Sequence, residues 1–152
     1  MQGLAYVFLR KDGAPLPTGP AGHVGWGFLL DEQGHCFCGS TENKSGTPFV
    51  PSGGKNDAWF SEVESAEAMI ALFRSYGYDC YKVSTVRHGQ AGPARKVGEM
   101  AANWGYAGLF NNCLDHVHKV LTTYGEPGMP WLQTHAAPNN WFAAYNGEYH
   151  NL

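Results

Sequence analysis

The chain is poor in charge and has no concentrated charge of one sign. Asp, Glu, Lys and Arg make up 15% of its 152 residues, the formal net charge is −3, and no Lys/Arg run exceeds two adjacent residues. Binding to nucleic acid or to an anionic membrane surface draws on clustered basic side chains, so neither partner is expected. Long apolar runs are missing as well. None approaches the ~20 residues that span a bilayer, so no transmembrane anchor is expected. The apolar run Leu4 to Leu9 is too short for a signal sequence and has no basic segment before it, which points to a cytoplasmic chain. Cysteine is scarce, and in that compartment Cys36, Cys38, Cys80 and Cys113 are expected as free thiols. The chain also lacks a phosphate-binding loop and a serine nucleophile elbow.

What is present is globular. Hydrophobic residues reach 43% and aromatics 14%, enough to bury a core, and no linker or repeat divides residues 1–152, which read as one domain. Leu4 to Leu9, Val24 to Leu30, His35 to Thr41 and Cys80 to Arg87 read as strands, and Asp31-Glu32-Gln33-Gly34 as a hairpin turn. Asn43 to Asp57 is a long glycine- and proline-bearing loop. Ser61-Glu62-Val63-Glu64 has the form of a capping box opening a helix that carries Met69, Ile70 and Phe73. Further helices are expected over Ala94 to Trp104, over Asn112 to Tyr124, and from Pro138 with Trp141 and Phe142. The expected fold class is α+β, an antiparallel sheet packed against helices.

Two segments carry chemistry. In Asn111-Asn112-Cys113-Leu114-Asp115-His116 an asparagine is a natural N-cap, which puts Cys113 in the first turn of a helix. Free N–H groups and the positive dipole end there lower a thiol pKa, and the Cys113 N–H would lie near an oxyanion formed on attack at a carbonyl. In Gly22-His23-Val24-Gly25-Trp26-Gly27 a histidine opens a strand, and an imidazole so placed can take the thiol proton. Gly25 and Gly27 share the His23 face, leaving room for a substrate or for the Cys113 helix, whereas Trp26 faces the other way and is packing.

Such a pair needs a third polar group to orient the ring, and two candidates exist, Glu42 and His35. With Asp31–Gly34 as the loop, His23 faces Glu42 and Gly25 faces Ser40. With Gln33-Gly34 as the loop, Glu42 faces Gly25. Either register keeps Glu42 close, while His35 lies about 23 Å along the strand from His23.

An early strand histidine followed by a late Asn-Cys-x-x-His helix resembles the circularly permuted NlpC-type, papain-like cysteine hydrolases, in particular the lecithin–retinol acyltransferase-like and PPPDE-type branches. The matching residues are His23, His35 and Asn112-Cys113-Leu114-Asp115-His116-Val117, with Leu114-Asp115 standing where those branches carry Glu or Asn. The resemblance implies a permuted papain-like (NlpC-type) fold in which Cys113 is nucleophile and His23 base. In the acyltransferase-like branch the triad is completed by a second histidine about a dozen residues on, which here is His35. The expected activity is a cysteine-dependent hydrolase or acyltransferase on an amide, thioester or ester bond, with amidase or peptidase favoured. A peptide, a peptidoglycan fragment or an acyl-lipid each presents a suitable carbonyl, and no metal or organic cofactor is implied.

Competing readings come from other features. A catalytically silent binding module on the same fold would keep the cleft without turnover. Cys36 and Cys38 share a strand face, which admits a thiol redox sensor, but no second close ligand pair supports a zinc site. His116 and His118 diverge on their helix and do not have the i, i+4 spacing of a metal pair.

Overall fold

A computed structural model describes residues 1–42, 49–107 and 112–152. The Asn43 to Pro48 part of the long loop, and Asn111 as an alternative cap, lie outside the described residues. In chain order the strands and helices are β1 (Gly3–Arg10), β2 (Pro15–Leu16), β3 (Gly19–Pro20), β4 (His23–Leu29), β5 (Cys36–Thr41), β6 (Phe49–Val50), β7 (Ala58–Val63), α1 (Ala66–Ser75), β8 (Cys80–Val86), α2 (Ala91–Met100), β9 (Tyr106–Ala107), α3 (Cys113–Tyr124), α4 (Pro138–Ala144) and β10 (Glu148–Asn151).

Six strands form an antiparallel sheet in the order β10-β8-β1-β4-β5-β7, and with the helices packed on it the fold is α+β. The β4–β5 register pairs Gly25 with Ser40 and Phe28 with Phe37, which corresponds to the longer of the two expected hairpin loops. Asp31 stabilises that loop by accepting the N–H groups of Gln33 (3.0 Å) and His35 (3.1 Å).

Period-two alternation divides the core between the two faces of the sheet. Tyr6, Phe8, Cys36 and Cys38 point to one face, where Met69 and Phe73 of α1 cover them, and Phe8 stacks on Phe73 at 3.7 Å between centroids. Ala5, Val7, Val24, Trp26, Phe28 and Phe37 point to the other, against Ala94 of α2, Leu114 and Val117 of α3, and Trp141 of α4. Trp26 is therefore core, as its alternation indicated. Gly25 and Gly27 do make room for a helix, but that helix is α1: side chains there would run into Phe73 and Met69.

Helix α3 is held at both ends. Asn112 caps it at the start, and Gly125, in the left-handed region at φ 104°, ends it, a conformation that favours glycine. Tyr124 donates its hydroxyl to the Leu29 carbonyl at 2.7 Å, tying the end of α3 to β4.

Several elements differ from expectation. Ser61 to Glu64 is not a helix cap: Ser61 lies in β7 opposite Cys38, and α1 opens one turn later, where the Ser65 side chain accepts the Ala68 N–H at 3.1 Å. The edge strands β7 and β10 had no clear alternating signal, because an edge strand with one half-exposed face needs few apolar residues. Helix α2 starts earlier than expected, since Pro93 is tolerated in a first turn, and passes after Met100 into a 3-10 turn over Ala101–Asn103.

The tight contact of β4 with α1 generates a prediction. A Cβ at position 25 would lie 2.6 Å from Phe73 Cε1 and 3.1 Å from the Gly39 carbonyl oxygen. Gly25→Ala is expected to destabilise the fold by about 1–3 kcal/mol, read as a lower urea midpoint at unchanged slope.

Candidate active site

The first turn of α3, the start of β4 and the end of β5 converge on one cluster. Asn112 and Asp115 build a reciprocal capping box: Asn112 Oδ1 accepts the N–H groups of Leu114 (2.9 Å) and Asp115 (3.3 Å), and Asp115 Oδ2 accepts that of Asn112 (2.9 Å). The Cys113 N–H is not among the donors this cap consumes. Cys113 lies against β4, with the His23 side chain and the backbone amides of Val24 and Leu114 beside its sulfur.

His23 is held from the opposite side. Its Nε2 hydrogen-bonds Ser40 Oγ at 2.8 Å and lies 3.5 Å from Glu42 Oε2, which leaves Nδ1 as the nitrogen available to the thiol. Ser40 donates to the Val24 carbonyl at 3.3 Å, so its oxygen is free to accept from His23. Glu42, whose side chain is only 5% exposed, accepts from Arg10 (3.0 Å), Trp59 Nε1 (3.1 Å) and the Tyr78 hydroxyl (3.0 Å). Tyr78 is also within 2.9 Å of Ser40 Oγ, and the Arg10 guanidinium lies 5.3 Å above the Tyr78 ring.

These contacts set the charges. Burial opposes a thiolate at Cys113, but the His23 charge and hydrogen bond, with the two amides, outweigh it and bring the thiol pKa below its usual value. Burial likewise opposes an imidazolium at His23, and the Cys113 and Glu42 charges and hydrogen bonds overcome it, raising the pKa well above that of a free histidine. Burial would also keep Glu42 neutral, yet His23, Trp59 and Arg10 hold its carboxyl far below the usual range. The arrangement is a chain of ionisable groups in the order thiol, imidazole, carboxylate, guanidinium.

The structure thus brings Cys113, His23 and Glu42 together and leaves His35 out. His35 sits at the far end of the β4–β5 hairpin, 43% exposed, with Nδ1 2.7 Å from Asp31 Oδ2. The register separates it from His23 by nearly the full strand, which is the physical reason it cannot orient the ring. Ser40, Arg10, Trp59 and Tyr78 join the cluster without having been singled out for it. Two of them had a local signal: Ser40, opposite Gly25 beside the candidate base, and Trp59, next to the long loop and so a candidate to line a cleft, which it does beside Glu42.

The remaining cysteines contrast with Cys113. All four are free and buried. Burial pushes Cys36 up to about 11 and Cys38 up to about 12, and it raises Cys80 as well. Cys36 and Cys38 turn their thiols to the carbonyls of Gly34 and Ser61, which gives neither a charge partner.

Cys113 and His23 are nearly enclosed, at 4% and 5% exposure. A cavity of about 510 Å³ opens beside Glu42, walled by Arg10, Asn56, Trp59 and Tyr76. A second, of about 460 Å³, lies past Leu9 against Phe142 and Tyr149. Cys113 lines neither. Among the described residues, no helix is long and apolar enough to cross a membrane. Comparison of the chain with protein-family models, with curated proteins and with solved structures finds no match.

The buried carboxylate generates a pH prediction. With a folded pKa below the unfolded one, Glu42 contributes stability that is complete above about pH 4.3 and is lost as pH falls through its depressed folded value. Glu42→Gln is expected to cost about 1–3 kcal/mol near neutrality, with the gap to the native protein narrowing in acid. Urea unfolding followed between neutral pH and acid checks the sign.

Proposed function

We propose that this protein is a cysteine-dependent hydrolase or acyltransferase, with Cys113 as nucleophile, His23 as base and acid, and Glu42 as the charge that orients His23. The observation that carries the reading is the convergence of Cys113, in the capped first turn of α3, with His23, whose Nε2 is taken up by Ser40 at 2.8 Å and Glu42 at 3.5 Å. The order of elements, histidine strand before cysteine helix on an antiparallel sheet, fits the permuted papain-like arrangement that the motifs resemble.

The chemistry follows from the charges. The Cys113 thiolate attacks the carbonyl carbon of an amide, thioester or ester, and the carbonyl electron pair moves to oxygen. The Cys113 N–H stabilises that oxyanion. The carbonyl re-forms as the leaving group departs with a proton from His23 Nδ1, which leaves an acyl-cysteine thioester. Water, or a second nucleophile in acyl transfer, then attacks the thioester while His23 takes its proton, and the thiolate is released. Ser40 and Glu42 hold Nε2 throughout, so Nδ1 stays aimed at sulfur. No metal or organic cofactor enters these steps. A peptide amide is the favoured bond, and a peptidoglycan fragment or an acyl-lipid presents the same carbonyl chemistry.

The near-complete enclosure of Cys113 favours a second reading, a catalytically silent binding module that uses the cavities beside the cluster. The two readings part on thiol reactivity. Iodoacetamide labelling of Cys113 against pH is expected to give a pKa well below the ordinary ~8.5, moving upward in His23→Ala, and Cys113→Ala is expected to abolish both labelling and turnover. An ordinary labelling pKa that ignores His23, or an active Cys113→Ala protein, would overturn the enzymatic reading.

A further inference from the structure

The end of β5 grips both halves of the candidate dyad at once. Along Ser40-Thr41-Glu42 the side chains alternate between the faces of the sheet. Ser40 and Glu42 point to the α1 face and hold His23. Thr41, between them, points to the α3 face, where its hydroxyl meets Nδ1 of His116 at 2.6 Å. Both residues of that pair are buried, at 2% exposure each. His116 follows Cys113 by three residues, so the two side chains are neighbours on one side of α3, one turn apart. Three consecutive residues at the end of β5 and just beyond it therefore contact the base through two side chains and the nucleophile's helix through one.

We infer that the Thr41–His116 pair is a positioning element that sets α3 against β5 and so holds Cys113 in register with His23. The inference rests on the reading of Cys113 and His23 as nucleophile and base. Cys113 itself touches β4 at Val24 and His23, and the other contacts of α3 act differently. The capping box fixes where the helix begins but is internal to it, so it does not fix the helix against the sheet. The Tyr124 bond to Leu29 ties the far end of α3, three turns away. The apolar stripe of Val117, Val120 and Leu121 supplies attraction without direction. Thr41–His116 is a directional bond from the sheet to the turn that bears the thiol.

The surroundings suit a fixed strut. The Trp104 ring packs edge-on against His116 at 4.9 Å between centroids, and the Lys119 ammonium lies over Trp104 at 4.5 Å. Burial, reinforced by the Lys119 charge, lowers the His116 pKa to about 4, so the ring is neutral at ordinary pH and keeps a hydrogen-bonding nitrogen for Thr41. His116 thereby acts through the helix and not on a substrate.

A displacement of the sulfur by a fraction of an ångström weakens the thiolate–imidazolium pair. A misplacement of about 1 Å at a reacting centre can cost on the order of 10²-fold in rate. Thr41→Val keeps the shape of the residue and removes its hydroxyl. It is expected to raise the Cys113 labelling pKa toward ~8.5 and to slow labelling near pH 6 by roughly ten- to a hundredfold, while Thr41→Ser restores both. His116→Phe breaks the same bond from the other side and is expected to give the same shift. The double variant should shift the pKa no further than either single variant does. A folded Thr41→Val or His116→Phe protein with the native labelling pKa overturns the inference, as does an additive double variant. An ordinary thiol pKa in the unmodified protein is a different failure, because it removes the enzymatic reading itself and this inference with it.

Discussion

A carboxylate that is only 5% exposed must be surrounded by donors if it is to stay ionised, and the arrangement around Glu42 follows from that requirement. Its donors come from separate parts of the sheet: Arg10 from the end of β1, Trp59 from β7 and Tyr78 from the turn before β8. The strand order places those ends side by side, so an anion that would be costly in isolation becomes the centre of a satisfied network. His23 is the fourth partner. The Glu42 charge turns its ring and favours its protonated form, and with Ser40 it commits Nε2 and frees Nδ1.

The four cysteines show that burial alone does not decide reactivity. Each is buried, and burial acts on each in the same direction, toward the neutral thiol. Cys36 and Cys38 face an apolar helix and carbonyl oxygens, so nothing there opposes that push. Cys113 has the His23 imidazole and two amides beside its sulfur, and these bring its thiol below the usual value. The difference lies in placement at a helix start over a strand end.

The sheet does two jobs with one alternation. On the α1 face, glycines at 25 and 27 let Phe73 and Met69 come close, and Ser40, Glu42 and Tyr78 form a polar corner. On the α3 face, Trp26 and Phe28 make the bed on which the cysteine helix lies. The candidate dyad forms where the two faces meet, at the sheet end shared by the start of β4 and the finish of β5.

Much of this was legible in the sequence, because the signals involved are local. Apolar runs marked β1, β4, β5 and β8. The Asp31–Gly34 turn set a register that drew Glu42 toward His23 and carried His35 away. Asn111-Asn112 marked the start of α3 and put Cys113 in its first turn, and the structure chose Asn112 as the cap. Each of these depends on forces acting within a few residues: alternation, capping, turn geometry. The edge strands β7 and β10, the cap at Ser65, the identity of the helix above Gly25, and the partners Arg10, Trp59, Tyr78 and Thr41–His116 were decided only by the tertiary structure. Thr41 and His116 are 75 residues apart, and Arg10 and Glu42 are 32 apart. No local preference can specify such a contact, since it exists only once the sheet has been ordered and the helices packed on it.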